Sequence, residues 1–416
     1  MRLLWFTNTP ANASPEFGYR QYGGGWISSL ETLFAERKEH ELGICFFYSG
    51  ASFKKIEKNG TRYYGIPGNA KGGISRILAR YFSRLEDEAS PFIDTVIKEF
   101  NPDIIQVFGT ESGYGKILQG NFGKVVFHLQ GLTGPYSAVY FPNRFTPLKI
   151  ALGSTISQWI KGDTFIHRYK LMKKRGEREA QTLKNWKYFI GRTDWDRNYV
   201  SLLNKDSRYF HCEELLRKAF FDNEWVAPHT DLDREIVIGT TINPNIYKGL
   251  DLIYKVLGQL SGYPVRWKIF GILEDDAVNK LVKKVLRISG RKFAMDFFGQ
   301  VPESGLVKEL NTCHFFVHPS YIDNSPNSVC EAMLLGMPVV SSSVGGMKTL
   351  ITNGVNGFLH NPYDEYDLSG LLVHLVNNYS LALDAGRRAR AVAFERHSPS
   401  AIYDRMNQIY NTIGDD

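Results

Sequence analysis

The sequence predicts an α/β protein with parallel β-sheets, and two observations support this fold class. The segment 318–346 shows a strand, a loop, a helix, a second strand and a glycine-rich loop, which together make one βαβ unit. Short apolar runs alternate with amphipathic stretches along the rest of the chain. With 416 residues, of which 43% are hydrophobic, the chain can bury two cores of ordinary size, so we expect two domains.

The helix of this βαβ unit has clear start and stop signals. Pro326 blocks helix formation upstream, and Asn327 or Ser328 is a natural N-cap. Apolar residues recur at helical spacing from Val329, and Gly336 ends the helix. Open α/β sheets bind phosphates where a loop at the carboxyl end of a strand leads into an exposed helix N-terminus. We therefore expect a phosphorylated ligand here.

Two acidic residues flank this helix N-terminus. Asp323 lies in the preceding loop, and Glu331 lies inside the helix, about one turn from its start. Carboxylates accept hydrogen bonds from hydroxyl groups but do not suit a phosphate, so they suggest hydroxyls on either side of the phosphates. A sugar nucleotide fits that description.

The whole run resembles the acidic-x7-acidic signature of the family 4 (group 1) retaining glycosyltransferases, which have the GT-B fold. The matching positions are Asp323, Pro326, Asn327, Glu331-Ala332-Met333, Gly336, Pro338-Val339-Val340 and Gly345-Gly346. The first acid of the signature is usually a glutamate, so Asp323 is a departure with a shorter side chain. The resemblance implies two Rossmann-like, doubly wound domains that face each other across a cleft. Residues 1–228 would form the acceptor side, 229–398 would bind the donor, and a helix at 399–416 would cross back to the first domain.

The resemblance also implies roles for single residues of this run. Asp323 would bond hydroxyls of the donor hexose, and Glu331 would bond the ribose hydroxyls. The backbone amides of Asn324 and Ser325 would also contact the hexose. Those near Asn327, Ser328 and Val329 would face the diphosphate.

A second motif of the resembled family lies near residue 248. Lys248 matches a lysine that precedes a glycine and clamps the diphosphate, but the arginine five positions earlier is Asn243 here. Because cations facing a diphosphate leaving group stabilise its developing negative charge, Lys248 is expected to act with the helix amides. Gly271, Gln300 and Val301 stand where relatives hold the nucleotide and its base, so they are expected to contact the donor.

In chain order, the first domain is expected to hold strands at 3–7, 43–48, 103–108, 125–129 and 188–191, a polar loop at 54–58 and a link at 210–221. The second domain is expected to hold strands at 235–240, 265–270, 296–299, 315–318, 337–342 and 354–359. Helices are expected at 76–82, 92–100, 367–377, 381–394 and 402–413.

Two loops of the first domain are candidate ligand contacts. Glycines before the first helix let the backbone approach a phosphate closely, although an ordinary turn is an equal alternative. The resemblance favours donor contacts for Gly24 and Gly25. His128 and Gln130 alternate onto one face, and relatives often carry a histidine at the position of Gln130. Both are candidates for catalysis, and a packed, hydrogen-bonded His128 is the alternative.

Residues 141–185 read as an insertion with an apolar and a basic part. Ile150, Leu152, Ile156, Trp159 and Ile160 suggest an apolar helical face. From 161 to 184, eight basic residues stand against three acidic ones. Two interpretations stay open: 150–184 contacts an anionic membrane surface, or it is a solvated helix over the domain core.

The composition narrows the partner classes. A formal net charge of +7 suits an anionic partner such as a nucleoside diphosphate, an acidic lipid surface or nucleic acid. A nucleic-acid site needs a contiguous basic stripe with stacking aromatics, and only the basic part of the insertion comes near, so we expect no nucleic-acid partner.

The four scattered cysteines predict buried thiols in a reducing compartment. No apolar run reaches the roughly 18 residues of a membrane span, so a cytoplasmic location is expected.

The resemblance implies transfer of a hexose-type sugar from a UDP- or GDP-sugar to a glycan or lipid-linked acceptor, with retention of configuration. No Asp-x-Asp motif or His/Cys ligand set stands in a plausible place, so we expect neither a metal nor another cofactor. Two alternatives stay open. One is a nucleotide-sugar epimerase with the same architecture, and the other is a sugar-nucleotide-binding protein that has lost catalysis, as the missing arginine and the short Asp323 suggest.

Overall fold

The computed structural model describes residues 1–19, 25–68, 91–118, 122–142, 144–228 and 235–416. The described strands are β1 (Arg2–Phe6), β2 (Glu41–Tyr48), β3 (Lys54–Lys58), β4 (Thr61–Pro67), β5 (Ile104–Phe108), β6 (Val125–His128), β7 (Tyr188–Gly191), β8 (Arg208–His211), β9 (Ile236–Thr241), β10 (Val265–Phe270), β11 (Met295–Gly299), β12 (Phe315–His318), β13 (Val339–Ser342) and β14 (Phe358–His360). The α-helices are α1 (Gly25–Arg37), α2 (Pro91–Phe100), α3 (Tyr114–Ile117), α4 (Thr133–Ala138), α5 (Pro147–Gly153), α6 (Ile156–Ile160), α7 (Phe165–Asn185), α8 (Asp194–Leu203), α9 (Lys218–Phe221), α10 (Leu250–Gln259), α11 (Ala277–Leu286), α12 (Glu303–Leu310), α13 (Asn327–Leu335), α14 (Met347–Leu350), α15 (Glu365–Asn377), α16 (Tyr379–Arg396) and α17 (Pro399–Asp415).

The chain divides into two compact units. The first comprises Met1–Ser137, Ile156–Leu215 and His397–Asp416, and the second comprises Ala138–Thr155 and Leu216–Arg396. The first unit has an eight-stranded sheet in the order β3-β4-β2-β1-β5-β6-β7-β8. All its pairings are parallel except that of β3 with β4.

The sheet of the second unit is six-stranded and parallel throughout, in the order β11-β10-β9-β12-β13-β14. Its central strand β12 is buried at every position, as expected of a parallel strand covered on both faces. Because strand order reverses beside β9, the carboxyl ends of β9 and β12 lie at a topological switch point, where such sheets bind ligands.

The unit borders differ from the predicted domain borders for a packing reason. Leu216, Phe220 and Trp225 belong to the core cluster of the second unit, and the Trp225 indole N–H donates to the Cys313 carbonyl at 2.8 Å. The second unit therefore begins at residue 216. Residues 138–155 join it as well, because α5 packs against α11 through Gly153 and Leu281. The final helix α17 groups with the first unit.

Three local predictions are wrong. The 54–58 loop is strand β3, which pairs antiparallel with β4 although it holds a single apolar residue. Part of the predicted link is the edge strand β8. The apolar face of the insertion is split between the short helices α5 and α6, and Ile150 is buried. In each case the structure depends on contacts with residues that are distant in the sequence. The local periodicity of the sequence does not reveal such contacts. The predicted helix at 76–82 lies outside the described residues.

The four cysteines are buried, and none of them forms a disulfide bond with another described cysteine, which confirms the prediction of buried thiols. No helix within the described ranges combines the length and the apolar character that a membrane crossing needs.

Candidate active site

Three loops of the second unit meet at the carboxyl ends of β9, β12 and β13, and two glycines allow this close approach. Gly249 has a φ of +80°, and a Cβ placed on it would lie 2.0 Å from the Pro319 carbonyl oxygen. Gly345 has a φ of +50°, and a Cβ there would lie 1.9 Å from the carbonyl oxygen of Asp323. Because no side chain fits at either position, the loops after β9 and β13 can press directly against the loop after β12.

This convergence brings Lys248 and Asp323 together, and the two form an ion pair. The Lys248 Nζ lies 2.5 Å from the Asp323 Oδ2. The His318 Nε2 lies 3.0 Å from the same oxygen. The exposed fractions of the three side chains are 12% for Lys248, 9% for Asp323 and 1% for His318. The site therefore holds a cation and an anion in contact, both largely withdrawn from water.

The charges of this cluster follow from burial and from the neighbouring groups. Burial opposes ionisation of Asp323, but Lys248 and His318 outweigh it and hold the pKa of the carboxyl below its usual range. Burial lowers the pKa of His318, and Asp323 opposes that shift only in part. Asp323 is therefore the negative partner of Lys248, and His318 is a neutral imidazole beside it.

Glu331 has a different partner, which the sequence analysis missed. The Arg217 Nε and Nη2 each lie 2.7 Å from one oxygen of Glu331, in a bidentate pair. Burial raises the pKa of Glu331, and Arg217 opposes that shift. Arg217 carries no recognisable signal in the sequence, because it stands in an irregular segment before the one-turn helix α9. Only the proximity of α9 to α13 brings it to Glu331.

The N-cap residue of α13 is not the predicted one. The predicted N-cap is wrong: Asn327 is the first helical residue, and the N-cap position is Pro326, which makes no side-chain cap hydrogen bond. The Val329 amide donates to the Pro326 carbonyl at 3.0 Å. Of the other predicted donor contacts of this run, Asn324 and Ser325 are buried, and Asn327 and Ser328 are half-buried.

The remaining predicted donor contacts of this unit follow neighbouring strands of its sheet. Asn243 follows β9 and is exposed. Its side-chain oxygen accepts a hydrogen bond from the side-chain amide of Asn245 at 2.8 Å. Because an asparagine is neutral, this position supplies no cation. Gly271 has a φ of +96°, and a Cβ there would lie 2.1 Å from the Ile242 carbonyl oxygen. Gln300 is exposed and Val301 half-buried, just after β11.

The predicted residues of the first unit lie at the start of α1 and after β6. Gly25 is the first residue of α1, and Gly24 lies outside the described residues. His128 ends β6 and is 1% exposed. The carbonyl oxygen of Gln130 accepts a hydrogen bond from Arg192 at 2.8 Å, and Arg192 is paired with Glu214 at 2.9 Å. The backbone of this loop is thus anchored to a buried ion pair.

Among the described residues, no group of three or more His, Cys, Asp or Glu side chains is arranged to hold a metal ion. The candidate site instead holds two ion pairs that are largely withdrawn from water, Lys248 with Asp323 and Arg217 with Glu331. Such an arrangement offers both cationic and anionic contacts to a ligand that carries phosphates and hydroxyls.

Most of the second unit is similar to known glycosyltransferases. Residues 225–392 match the family model described as Glycosyl transferases group 1. The capsular polysaccharide biosynthesis glycosyltransferase CapM of Staphylococcus aureus is 27% identical over 124 residues, which is 28% of this chain and 33% of that protein. The chain therefore spans about a third of the length of this curated relative.

Solved structures match over the whole chain. Sucrose-phosphate synthase from Thermosynechococcus elongatus superposes with a TM-score of 0.73, at 15% identity, over 99% of both chains. Anabaena HepE in complex with UDP and glucose superposes with a TM-score of 0.65, at 15% identity, over 99% of this chain and 100% of that chain. Likeness at these identities shows the fold, so the predicted GT-B class with two Rossmann-like parallel-sheet domains is confirmed.

Proposed function

We propose that this chain, which carries a group 1 glycosyltransferase domain at 225–392, is a retaining, metal-independent glycosyltransferase. It moves a hexose-type sugar from a nucleoside-diphosphate donor to an acceptor hydroxyl. The observation that carries the proposal is the buried Lys248–Asp323 pair, with His318 beside it, at the switch point of the second sheet and ahead of the N-terminus of α13. Such a place suits a diphosphate with sugars on either side.

The proposed step needs no group beyond the donor, the acceptor and the chain itself. The bond between the anomeric carbon and the leaving diphosphate oxygen breaks, and a bond to the acceptor oxygen forms on the same face. The acceptor proton passes to the leaving diphosphate oxygen. Lys248 and amides at the start of α13 stabilise the negative charge that develops on the diphosphate, which is why we propose metal independence. Asp323 then accepts hydrogen bonds from hydroxyls of the hexose.

Glu331 is proposed to bind the ribose while it stays paired with Arg217. Each carboxylate oxygen accepts one N–H of Arg217 and keeps a second lone pair for a hydroxyl group. The guanidinium also keeps this carboxyl oriented, since a bidentate pair restrains the carboxylate plane. Arg217 therefore acts on the nucleotide through Glu331.

The donor is proposed to be a UDP- or GDP-sugar and the acceptor a glycan or a lipid-linked glycan in polysaccharide biosynthesis. The solved HepE complex, which contains UDP and glucose, and the capsular polysaccharide role in the name of CapM support these classes. No cofactor besides the donor is proposed.

A thermal-shift panel of UDP, GDP, ADP and their sugars tests donor binding. We expect stabilisation by one nucleoside diphosphate and its sugars, and a much smaller shift in Glu331→Gln. Glu395→Gln, an exposed acid of the same unit, is the matched control and keeps the full shift. Equal stabilisation of wild type and Glu331→Gln would contradict the assigned ribose contact.

Turnover of the selected nucleotide sugar tests the reaction. We expect slow donor hydrolysis without acceptor, faster transfer with a glycan acceptor, retained configuration in the product, and no loss of rate with EDTA. Conversion of the donor to an epimer in the absence of acceptor would replace the transferase with an isomerase.

A peripheral contact with an anionic membrane, at its cytoplasmic face, extends the proposal. Ile156 and Ile160 of α6, in the first unit, are 80% and 63% exposed. They are spaced i, i+4, so α6 presents two apolar side chains on one face. Exposed basic residues of the following helix α7 complement an acidic lipid surface.

Co-sedimentation with vesicles tests this contact. We expect binding to vesicles rich in anionic lipid, little binding to neutral vesicles, and clear weakening in the double variant Ile156→Ser/Ile160→Ser. Leu202→Ser, which changes another side chain that is 80% exposed, should bind as wild type does. Binding that survives the double variant would remove the membrane contact.

A further inference from the structure

Tyr321, in the loop after β12, ties that loop to its neighbours in the second unit at two points. Its backbone amide donates to the Tyr247 carbonyl at 2.8 Å. Its hydroxyl donates to the Oδ2 of Asp251, in the first turn of α10, at 2.9 Å. Tyr321 and Asp251 are each 1% exposed, so water does not compete for the hydroxyl bond.

The two points of attachment stand next to the charged residues of the candidate site. Lys248 directly follows Tyr247, and Asp323 comes two residues after Tyr321. Close packing at Gly249 lets the two loops approach each other, but only the bonds of Tyr321 fix how one loop lies along the other. A shift of the loop after β12 would therefore move the Asp323 carboxyl group away from the Lys248 Nζ, which lies 2.5 Å from it.

Asp251 has a charged neighbour as well as the tyrosine. The Lys255 Nζ lies 3.7 Å from the Asp251 Oδ2 and 3.8 Å from the Oε2 of Glu365, the first residue of α15. Burial raises the pKa of Asp251, and Lys255 and the Tyr321 hydroxyl oppose that shift. The acceptor of the tyrosine is thus a carboxyl group with a cation one turn further along the same helix.

Such a buried network is a poor way to add stability. Withdrawal of a carboxylate and an ammonium group from water costs about as much free energy as their attraction returns, so apolar side chains of similar volume often stabilise a fold equally well. A hydrogen bond differs from apolar packing because it defines a distance and a direction. The bond from Tyr321 to Asp251 therefore points to a need for a defined position of the loop.

We propose that Tyr321 and Asp251 are positioning residues for Asp323, and that their hydrogen bond holds the loop after β12 where the Asp323 carboxyl group meets the sugar. The inference rests on the proposed sugar transfer and deepens it. Tyr321 and Asp251 are buried and act on the sugar through Asp323. Lys255 acts one step further away, as the counter-ion of Asp251.

Kinetics and nucleotide binding, measured with the donor that the thermal-shift panel selects, test this role together. Tyr321→Phe removes only the hydroxyl group and should lower kcat for transfer by roughly fivefold to tenfold, the scale of one lost hydrogen bond. The Kd for the bare nucleoside diphosphate should stay unchanged, because that ligand lacks the sugar that Asp323 contacts. An equal loss in both quantities would show a general disturbance of the unit and overturn the inference.

Two variants of Asp251 test whether the acceptor is what matters. Asp251→Asn keeps an acceptor oxygen for the tyrosine and should retain most of the rate, whereas Asp251→Leu should be as slow as Tyr321→Phe. The double variant Tyr321→Phe/Asp251→Leu should be no slower than either single variant, because both remove the same bond. Losses that multiply would overturn the assignment of one shared role.

Tyr254→Phe is the matched control. Tyr254 is a buried tyrosine of the same helix α10, and its hydroxyl donates to the Asn279 Oδ1 at 2.7 Å, so the variant loses the same kind of bond away from the loop. It should leave kcat unchanged. A loss as large as that of Tyr321→Phe would mean that any weakening of α10 slows transfer, which would overturn the specific role of Tyr321.

A double-mutant cycle tests whether Tyr321 acts through Asp323. In the Asp323→Asn background the sugar contact is already impaired, so Tyr321→Phe should cost little further rate. The full fivefold to tenfold loss in that background, roughly the size of one hydrogen bond, would show that Tyr321 acts by another route.

Amide hydrogen exchange measures the loop without any need for turnover. The backbone amide of residue 321 should exchange roughly tenfold faster in Tyr321→Phe and Asp251→Leu than in the wild type or Tyr254→Phe, because the loop opens more often once the hydroxyl bond is lost. Unchanged exchange in the first two variants would overturn the hold on the loop.

Failure of this inference differs from failure of the proposed function. If the wild type transfers sugar and Tyr321→Phe is as fast, the positioning role is wrong and the transferase stands. If the wild type transfers no sugar, the transferase is wrong and the role toward a sugar is overturned with it, whereas hydrogen exchange still decides whether the bond from Tyr321 to Asp251 holds the loop.

Discussion

The polar side chains at the carboxyl end of β6, in the first unit, differ in charge from those after β9 and β12, in the second unit. In the second unit these side chains are charged and paired: Lys248 with Asp323, and Arg217 with Glu331. In the first unit the corresponding position after β6 holds a neutral hydrogen-bonded chain that ends in His128. Both arrangements are buried, so the contrast lies in charge and not in exposure.

This difference teaches how one fold type can serve two kinds of contact. A diphosphate carries negative charge that increases as the leaving group departs, and it suits a site with a cation held ready. Sugar hydroxyls are neutral, and neutral donors and acceptors bind them without a counter-ion. The charged site of the second unit is thus expected to control the leaving group.

The largest expected effect comes from removing the cation of the second unit. Lys248→Ala should lower kcat by roughly a hundredfold to a thousandfold, the range seen when a transition-state charge contact is lost. It should also destabilise the protein, because Asp323 is left buried without its partner. Transfer assays and thermal unfolding measure the two effects.

Two further variants separate charge pairing from catalysis. Lys308→Ala, at an exposed lysine of the same unit, should change neither quantity. The double variant Lys248→Ala/Asp323→Ala should regain stability but not turnover. Recovery of turnover in the double variant would show that Lys248 serves only to neutralise Asp323.

The next effect concerns the backbone approach that assembles the charged site. Gly249→Ala should cost about 3 kcal/mol or more and weaken nucleotide binding, because its Cβ would lie 2.0 Å from the Pro319 carbonyl oxygen. Gly354 has a similar φ of +76° but open space around it, so Gly354→Ala should cost only about 1 kcal/mol of backbone strain. Denaturant unfolding compares the two, and equal costs would show that close approach is unimportant here.

The two acids of the second unit should separate into a turnover role and a binding role. Glu331→Gln should raise the Kd for the bare nucleoside diphosphate by roughly tenfold or more, the scale of a lost charged hydrogen bond. Asp323→Asn should leave that Kd nearly unchanged but lower kcat more strongly. Calorimetry with the bare nucleotide and steady-state kinetics measure the two quantities, and the reverse pattern would exchange the assigned roles.

The smallest expected effect is on the pH dependence of folding stability, which should have opposite signs for one buried carboxyl group in each unit. The lowered pKa of Asp323 means that its stabilising contribution is present above the unfolded pKa of about 4 and is lost as pH falls through the folded value. Glu179, which is buried in the first unit and accepts from Thr110, Thr133 and Gly134, has a pKa that burial raises. Its contribution is fullest below the unfolded pKa and declines as pH rises through the folded one.

Thermal unfolding across pH tests this contrast. The stability advantage of wild type over Asp323→Asn should shrink toward acid pH, whereas its advantage over Glu179→Gln should shrink toward neutral pH. Parallel slopes for the two variants would contradict the different charge states of the two sites.

Features encoded in a short stretch of chain were predictable from the sequence, whereas features that depend on distant residues were not. β7, β10 and β12 begin and end where predicted. β7 and β12 are short apolar runs, and β10 alternates apolar with charged residues over its first four positions, so each has a local strand signal. Lys248 and Asp323 were singled out because their motifs are local. Arg217 and His318 were missed: one stands in an irregular segment, and the other ends a strand, where a buried histidine has no distinctive pattern.

The sequence by itself determined the α/β class, the main strands, the GT-B type and the acids around the helix start, because those features reside in local periodicity and in one contiguous motif. Tertiary structure alone decided which charges pair and where the units divide. The physical reason is that a pair such as Arg217 with Glu331, or Tyr410 with Gln106, joins residues more than a hundred positions apart. Only packing of the helices and sheets brings these residues into contact and removes the water that would otherwise screen them.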